Sequence, residues 1–260
     1  MKFLEIDMRN AVVSLLLVMC IVGTSFAEGE EAVTDEAAGI GVDVTLDFNS
    51  KYIWRGQNLV DDMVFQPGVS KMFGDLTLGV WGNMDMTNEN DEGGNFTEID
   101  YYADYSADLI EGIGYSLGYI YYAFPQGSND TYEFYGGLNF DVFLSPSVTW
   151  YYDADEVNGS YVSFAIGHSI ELPEDAPFGI DLGLSAGWAD SNYNEYYWGV
   201  DDDSFNDLTP SVGFPMEIGG WSLTPSVNYV TLLDSDIRDS DAYDSSSDYF
   251  YAGISLGTSF

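Results

Sequence analysis

The chain has 260 residues, with 44 acidic side chains against 6 lysines and arginines and a net charge of −38. That balance excludes an electrostatic grip on nucleic acid and draws cations to the surface instead. Because 46% of the residues are hydrophobic and 16% aromatic, the chain is too apolar to remain disordered, and a core or a lipid phase must take up that surface.

The first 27 residues read as a secretory signal peptide. Lys2 and Arg9 precede an apolar stretch from Ala11 to Gly23, and Ser25 and Ala27 supply the small residues of a cleavage site. The apolar stretch is too short to cross a bilayer as a helix. Cleavage after Ala27 would remove Cys20, the one cysteine, leaving no disulfide and no thiol nucleophile. Residues 28–39 are acidic, lack aromatics and read as a flexible leader, and residues 40–260 form the folded domain. Lys51, Arg55, Lys71 and Arg238 are the basic side chains beyond the signal.

No stretch beyond residue 40 reads as a helix. Twelve strands are expected, over about 41–55, 63–72, 75–83, 97–108, 114–124, 131–141, 146–153, 160–170, 178–189, 208–216, 221–232 and 248–260. In the first, Val42, Val44, Leu46, Phe48, Tyr52 and Trp54 share one face while Asp43, Asp47, Lys51 and Arg55 share the other. The last strand alternates in the same way and closes on Phe260, as the final strand of a transmembrane barrel does.

A soluble β-sandwich would also alternate, but its solvated face would carry Lys and Glu. Here the polar face is rich in Gly, Ser and Asp, which suits the interior of a small closed barrel. Tyr52, Trp54, Tyr119, Tyr121, Trp150, Tyr152, Trp188, Trp221 and Tyr229 fall near the ends of the apolar stripes, as rings at two lipid interfaces would. Long links after the third, ninth and eleventh strands alternate with short ones, so one end faces outward and the other the periplasm. The expected architecture is therefore an all-β, antiparallel, up-and-down transmembrane barrel of about 12 strands in the outer membrane of a Gram-negative-type bacterium, monomeric and in contact with outer-membrane lipid.

Candidate chemistry is sparse. The acidic clusters at Asp201 to Asp203 and Asp234 to Asp244 suit weak divalent-cation binding, although neither has the spacing of a dedicated calcium loop. His168, the sole histidine, shares phase with Phe164 and Ile166 and points away from Ser163 and Ser169, so no Ser-His pair is expected and the chain reads as a non-enzyme without a cofactor. The polar face is more informative. Asp43, Asp47, Lys51, Arg55, Glu98, Asp100, Asp104, Asp108, Glu133 and Asp181 are the candidate pore-lining residues. They form either a structural salt-bridge network or a constriction that favours cations, and the inward rings Tyr102, Tyr122, Tyr135 and Tyr151 are large enough to close the lumen.

Residues 48–57 (FNSKYIWRGQ), Gln66 to Gly68 and residues 76–83 (LTLGVWGN) resemble the opening strands of the TorF-type porin family of outer-membrane proteins, with Arg55 and Gly56 matching its aromatic-x-Arg-Gly turn. The serine-rich continuation of that family is replaced here by Gln57 to Asp62. The resemblance implies outer-membrane location and passive transport of small solutes, with no catalytic set. Passive diffusion of small hydrophilic, cationic solutes is the leading functional expectation. A non-conducting barrel that presents acidic loops is the alternative, and an exported soluble sandwich the third.

Overall fold

A computed structural model of the chain describes residues 41–260, apart from 128, 171, 174, 175, 241 and 244–246. The signal peptide, the acidic leader, Asp241 and Asp244 lie outside the described residues. Among the described residues there are fifteen strands: β1 (Val42–Asn49), β2 (Tyr52–Trp54), β3 (Gln57–Val60), β4 (Val64–Phe73), β5 (Leu76–Asp85), β6 (Phe96–Ile110), β7 (Ile113–Ala123), β8 (Thr131–Phe140), β9 (Ser147–Asp153), β10 (Ser160–Ile170), β11 (Ile180–Ala189), β12 (Ser204–Gly213), β13 (Met216–Ile218), β14 (Trp221–Leu232) and β15 (Asp248–Ser259). Two helices among the described residues, α1 (Ser191–Trp198) and α2 (Ser235–Arg238), lie in links between strands.

Twelve of the strands run round one antiparallel sheet in sequence order, with β13 as a short thirteenth strand paired with β14, and the sheet closes on itself because β1 pairs with both β4 and β15 while β12 pairs with β14. Closure removes both sheet edges, so all strands can sit in lipid with their backbone groups paired. Alternation then sorts the side chains. In β8, Thr131, Glu133, Tyr135 and Gly137 are buried inward, whereas Phe134 and Leu138 are exposed outward. The outer wall carries Val69, Leu78, Val80, Leu117, Phe164, Leu182, Val227 and Ile254.

Aromatic pairs mark both rims of this wall. Trp150 stacks on Tyr152 at 5.9 Å and Tyr229 lies 4.7 Å from Phe250 at the end with the long links. Tyr105 and Tyr115, 6.2 Å apart, and Phe178 and Phe214, 6.0 Å apart, stand at the end with the short turns. Twelve strands with two aromatic girdles and an apolar band are the architecture of a transmembrane porin barrel.

The expected first strand is corrected. It breaks after Asn49, and residues 52–60 leave the wall to form a separate two-stranded hairpin, β2–β3, folded into the lumen. Tyr52 and Trp54 are therefore buried inside the barrel rather than facing lipid. The absence of helices is also corrected. Asp190 caps α1 by accepting a hydrogen bond from the Tyr193 N–H at 3.0 Å, and Gly199 ends it with φ of 70°. Asp234 caps α2 in the same manner, accepting from the Asp236 N–H at 2.9 Å.

Candidate functional site in the barrel lumen

The lumen differs along its length. Towards the short turns its wall consists of small polar residues, among them Thr45, Ser70, Thr77, Ser106, Ser226 and Ser255, all half-buried. Towards the long links it is filled by rings and by the β2–β3 hairpin, and Tyr122, Tyr135, Tyr151, Tyr161 and Tyr193 are all buried. Along the lumen, half-buried small polar residues give way to an aromatic plug.

The hairpin is held on the far side of the barrel from its own root. Trp54 pairs with Gln57, so Arg55 and Gly56 form a two-residue turn, and both have positive φ, 49° and 82°. A left-handed conformation costs a non-glycine residue about 1–2 kcal/mol. At Arg55 the side chain supplies the compensation. Its two terminal nitrogens donate to the two oxygens of Glu133 on β8, each at 2.7 Å, and the Tyr122 hydroxyl donates to the same carboxylate at 2.8 Å. The guanidinium carbon lies 4.4 Å from the Trp54 ring centre, 4.3 Å from Tyr151, 4.7 Å from Tyr161 and 5.9 Å from Tyr193.

Further bonds fix the remainder of the hairpin. The Tyr52 hydroxyl donates to Glu98 on β6 at 2.8 Å, the Gln57 amide donates to the Tyr193 hydroxyl at 3.0 Å, and the hydroxyls of Tyr243 and Tyr249 donate to Gln57 and to the Gly56 carbonyl. A side chain at Gly56 would force its neighbours to shift, since a Cβ would stand 2.9 Å from that of Asp207. Gly187 makes comparable room for the Tyr161 ring, whose hydroxyl donates to Asp207 at 2.9 Å.

Arg55 is 5% and Glu133 2% exposed. Burial works against the Arg55 charge and is the largest single influence, but Glu133, Tyr193 and Tyr122 together more than offset it, so the guanidinium is held well above its ordinary pKa. The phenols of Tyr193 and Tyr197 on α1 are pushed well above theirs, chiefly by burial, and Tyr52 by burial with the Glu98 and Asp100 charges added. These rings stay neutral: Tyr52 donates to Glu98, Tyr193 accepts from Gln57 and turns a face towards Arg55, and Tyr197 packs against Trp54 and Tyr193.

The other expected wall residues are distributed as follows. Glu98 and Asp100 are buried beside the plug. Asp100 is 0% exposed and receives no N–H or O–H donor, and the Glu98 carboxyl stands within hydrogen-bond reach of it. Asp104 accepts from Tyr135 at 2.5 Å and from Ser106, and Asp181 accepts from Ser169 at 2.7 Å. Asp47 bonds Ser255, and Asp43 accepts from the Ser259 hydroxyl near the short turns.

Two expected wall residues are corrected. Lys51 sits past the break in the first strand and pairs with Asp61 at the rim, not with the lumenal carboxylates. Asp108 is exposed at the short-turn mouth rather than in a constriction. The ladder of Asp43, Asp47, Lys51 and Arg55 on one face therefore does not exist as a unit, because it needed an unbroken strand.

Trp54, Gln57, Tyr161, Tyr193 and Asp207 were not among the expected site residues. A signal for the hairpin was present in the short runs on either side of Arg55-Gly56, which carries glycine at the second turn position. His168 is exposed and meets Phe143 at 5.3 Å, on the outer wall as its phase predicts. Among the described residues, no group of three or more His, Cys, Asp or Glu side chains is placed to hold a metal ion.

No protein-family model and no curated protein sequence matches the chain. Solved structures do. The KdgM porin superposes with a TM-score of 0.52 at 13% identity, covering 84% of this chain and 99% of that one. The KdgM porin in complex with disordered oligogalacturonate gives 0.51 at 12%, covering 84% and 98%. LpxR from Salmonella typhimurium gives 0.52 at 10%, covering 84% and 100%. At these identities the likeness is one of fold, and the fold it defines is the 12-stranded antiparallel β-barrel.

Proposed function

We propose that the protein is an outer-membrane channel of porin type for passive diffusion of small hydrophilic, cationic solutes, with the β2–β3 hairpin as its plug. The observation that carries the reading is the charge of the lumen. Asp47, Glu98, Asp100, Asp104 and Asp181 line it, whereas Arg55, already committed to Glu133, is the basic side chain buried there among the described residues. A wall of that sign favours cations over anions. The TorF-type sequence resemblance and the fold shared with the KdgM porin point in the same direction. The surrounding partners in this reading are outer-membrane lipid and divalent ions held weakly by the outer loops.

A second reading has its own support. With Arg55 enclosed by four rings and a carboxylate, the lumen is filled at that level, as in a barrel that does not conduct and acts through its acidic surface. Reversal potentials of the refolded mature protein in a planar bilayer under a KCl gradient separate the two. The channel reading requires a cation-preferring potential that weakens when Asp100→Ala and Asp104→Ala are combined. Anion preference contradicts it, and a barrel that never conducts, even with Arg55→Ala, establishes the second reading.

A further inference from the structure

Arginine brings no backbone advantage to the first position of a two-residue hairpin turn, where glycine, asparagine and aspartate meet the positive φ at lower cost. The side chain is what this position uses, and its surroundings are complementary to a guanidinium in two ways. The Glu133 carboxylate takes both terminal nitrogens side by side at 2.7 Å, and ring faces of Tyr151 and Tyr161 lie 4.3 and 4.7 Å from the guanidinium carbon. Tyr122 orients the carboxylate from the neighbouring strand.

These four wall residues come from consecutive barrel strands, Tyr122 on β7, Glu133 on β8, Tyr151 on β9 and Tyr161 on β10. Trp54 and Arg55 belong instead to the hairpin. If the hairpin withdraws, Trp54 is the one ring of the cage that leaves with it, and Glu133, Tyr151 and Tyr161 stay on the wall. What remains is a buried carboxylate fork between aromatic faces, which matches a planar, delocalised cation better than a compact ammonium that can present only one nitrogen to the fork.

We propose that this wall site binds solutes carrying a guanidinium group, with Arg55 as its tethered occupant in the plugged state, so that solute and hairpin compete for Glu133. The proposal rests on the channel reading for the solute's passage, whereas occupancy of the site can be measured without any current.

Refolded Arg55→Ala protein in detergent, titrated calorimetrically with methylguanidinium and with methylammonium, tests it. The expected result is saturable methylguanidinium binding about tenfold tighter than methylammonium, the worth of one further charge-assisted hydrogen bond. Binding should be lost when Glu133→Gln is added and should be weaker in the wild type, where Arg55 holds the site. Absent binding, equal affinity for the two cations, or binding that survives Glu133→Gln overturns the proposal. Should Arg55→Ala not refold, Arg55→Lys serves, since lysine leaves one side of the fork open; methylguanidinium binding no tighter than to the wild type then overturns it. A barrel that binds methylguanidinium but carries no current removes the channel reading and leaves the site, whereas a conducting barrel that fails to bind removes the site alone.

Discussion

At the scale of single residues, the lumen is an arrangement of buried carboxylates with unequal partners. Glu133 has a guanidinium fork and a phenol, and removing the guanidinium leaves it buried with only the phenol. Arg55→Ala is therefore expected to destabilise the protein by about 3–5 kcal/mol, and Arg55→Ala combined with Glu133→Gln by clearly less, because the second change removes the orphaned charge. Denaturant unfolding in detergent measures both, and equal losses would show that the pair is not coupled. Asp100 is the opposite case, facing Glu98 without a donor. Asp100→Asn supplies an amide N–H to Glu98 and should raise stability by about 1 kcal/mol in the same assay. A loss of stability would mean that the Asp100 carboxyl is bonded in a way this geometry does not contain. The inward phase of Glu98, Asp100, Asp104, Glu133 and Asp181 was legible from period-two alternation. Their partners were not, because Tyr52, Arg55 and Tyr135 reach them across the lumen from strands and turns distant in sequence.

At the scale of elements, the β2–β3 hairpin separates what sequence pattern can show from what it cannot. The wall strands were legible because one solvent lies on each side and every second residue reports it. Tyr52 and Trp54 continue the phase of Val42 to Phe48, and an aromatic ring suits a lipid face and a packed plug equally well, so the break near Ser50 left no trace in the alternation. Helix α1 was hidden for a different reason. It is a single short helix of Tyr and Asn residues with weak propensity, fixed by its caps and by Tyr193 and Tyr197 packing under the hairpin with ring centres 4.6 Å apart. The seating of the hairpin can be read with trypsin, since Arg55 at its tip is a cleavable bond that the folded barrel encloses. Gly56→Ala combines a φ of 82° with a Cβ 2.9 Å from that of Asp207, and should loosen the hairpin by about 1–3 kcal/mol. Cleavage after Arg55 is expected to be slow in the wild type and markedly faster in Gly56→Ala. Equal rates would mean that the tip is not held as described.

At the scale of the whole molecule, three features belong together: a closed apolar wall with an aromatic girdle at each rim, an acidic lumen, and a plug that enters from the long-link end and is locked by one ion pair. The wall follows from strand alternation and closure, and it was legible in the sequence down to the strand number, with the tenth strand displaced to residues 204–213. The plug was legible only as an Arg-Gly turn, because its position depends on contacts with β6, β8, β15 and α1 that no local pattern encodes. The plug also ties structure to function most directly, since the same contact that stabilises the hairpin closes the lumen. Single-channel recording of wild type and Arg55→Ala in planar bilayers tests this claim: the plugged barrel should give rare or small openings and the variant larger, cation-preferring steps, whereas identical conductance in the two would contradict it.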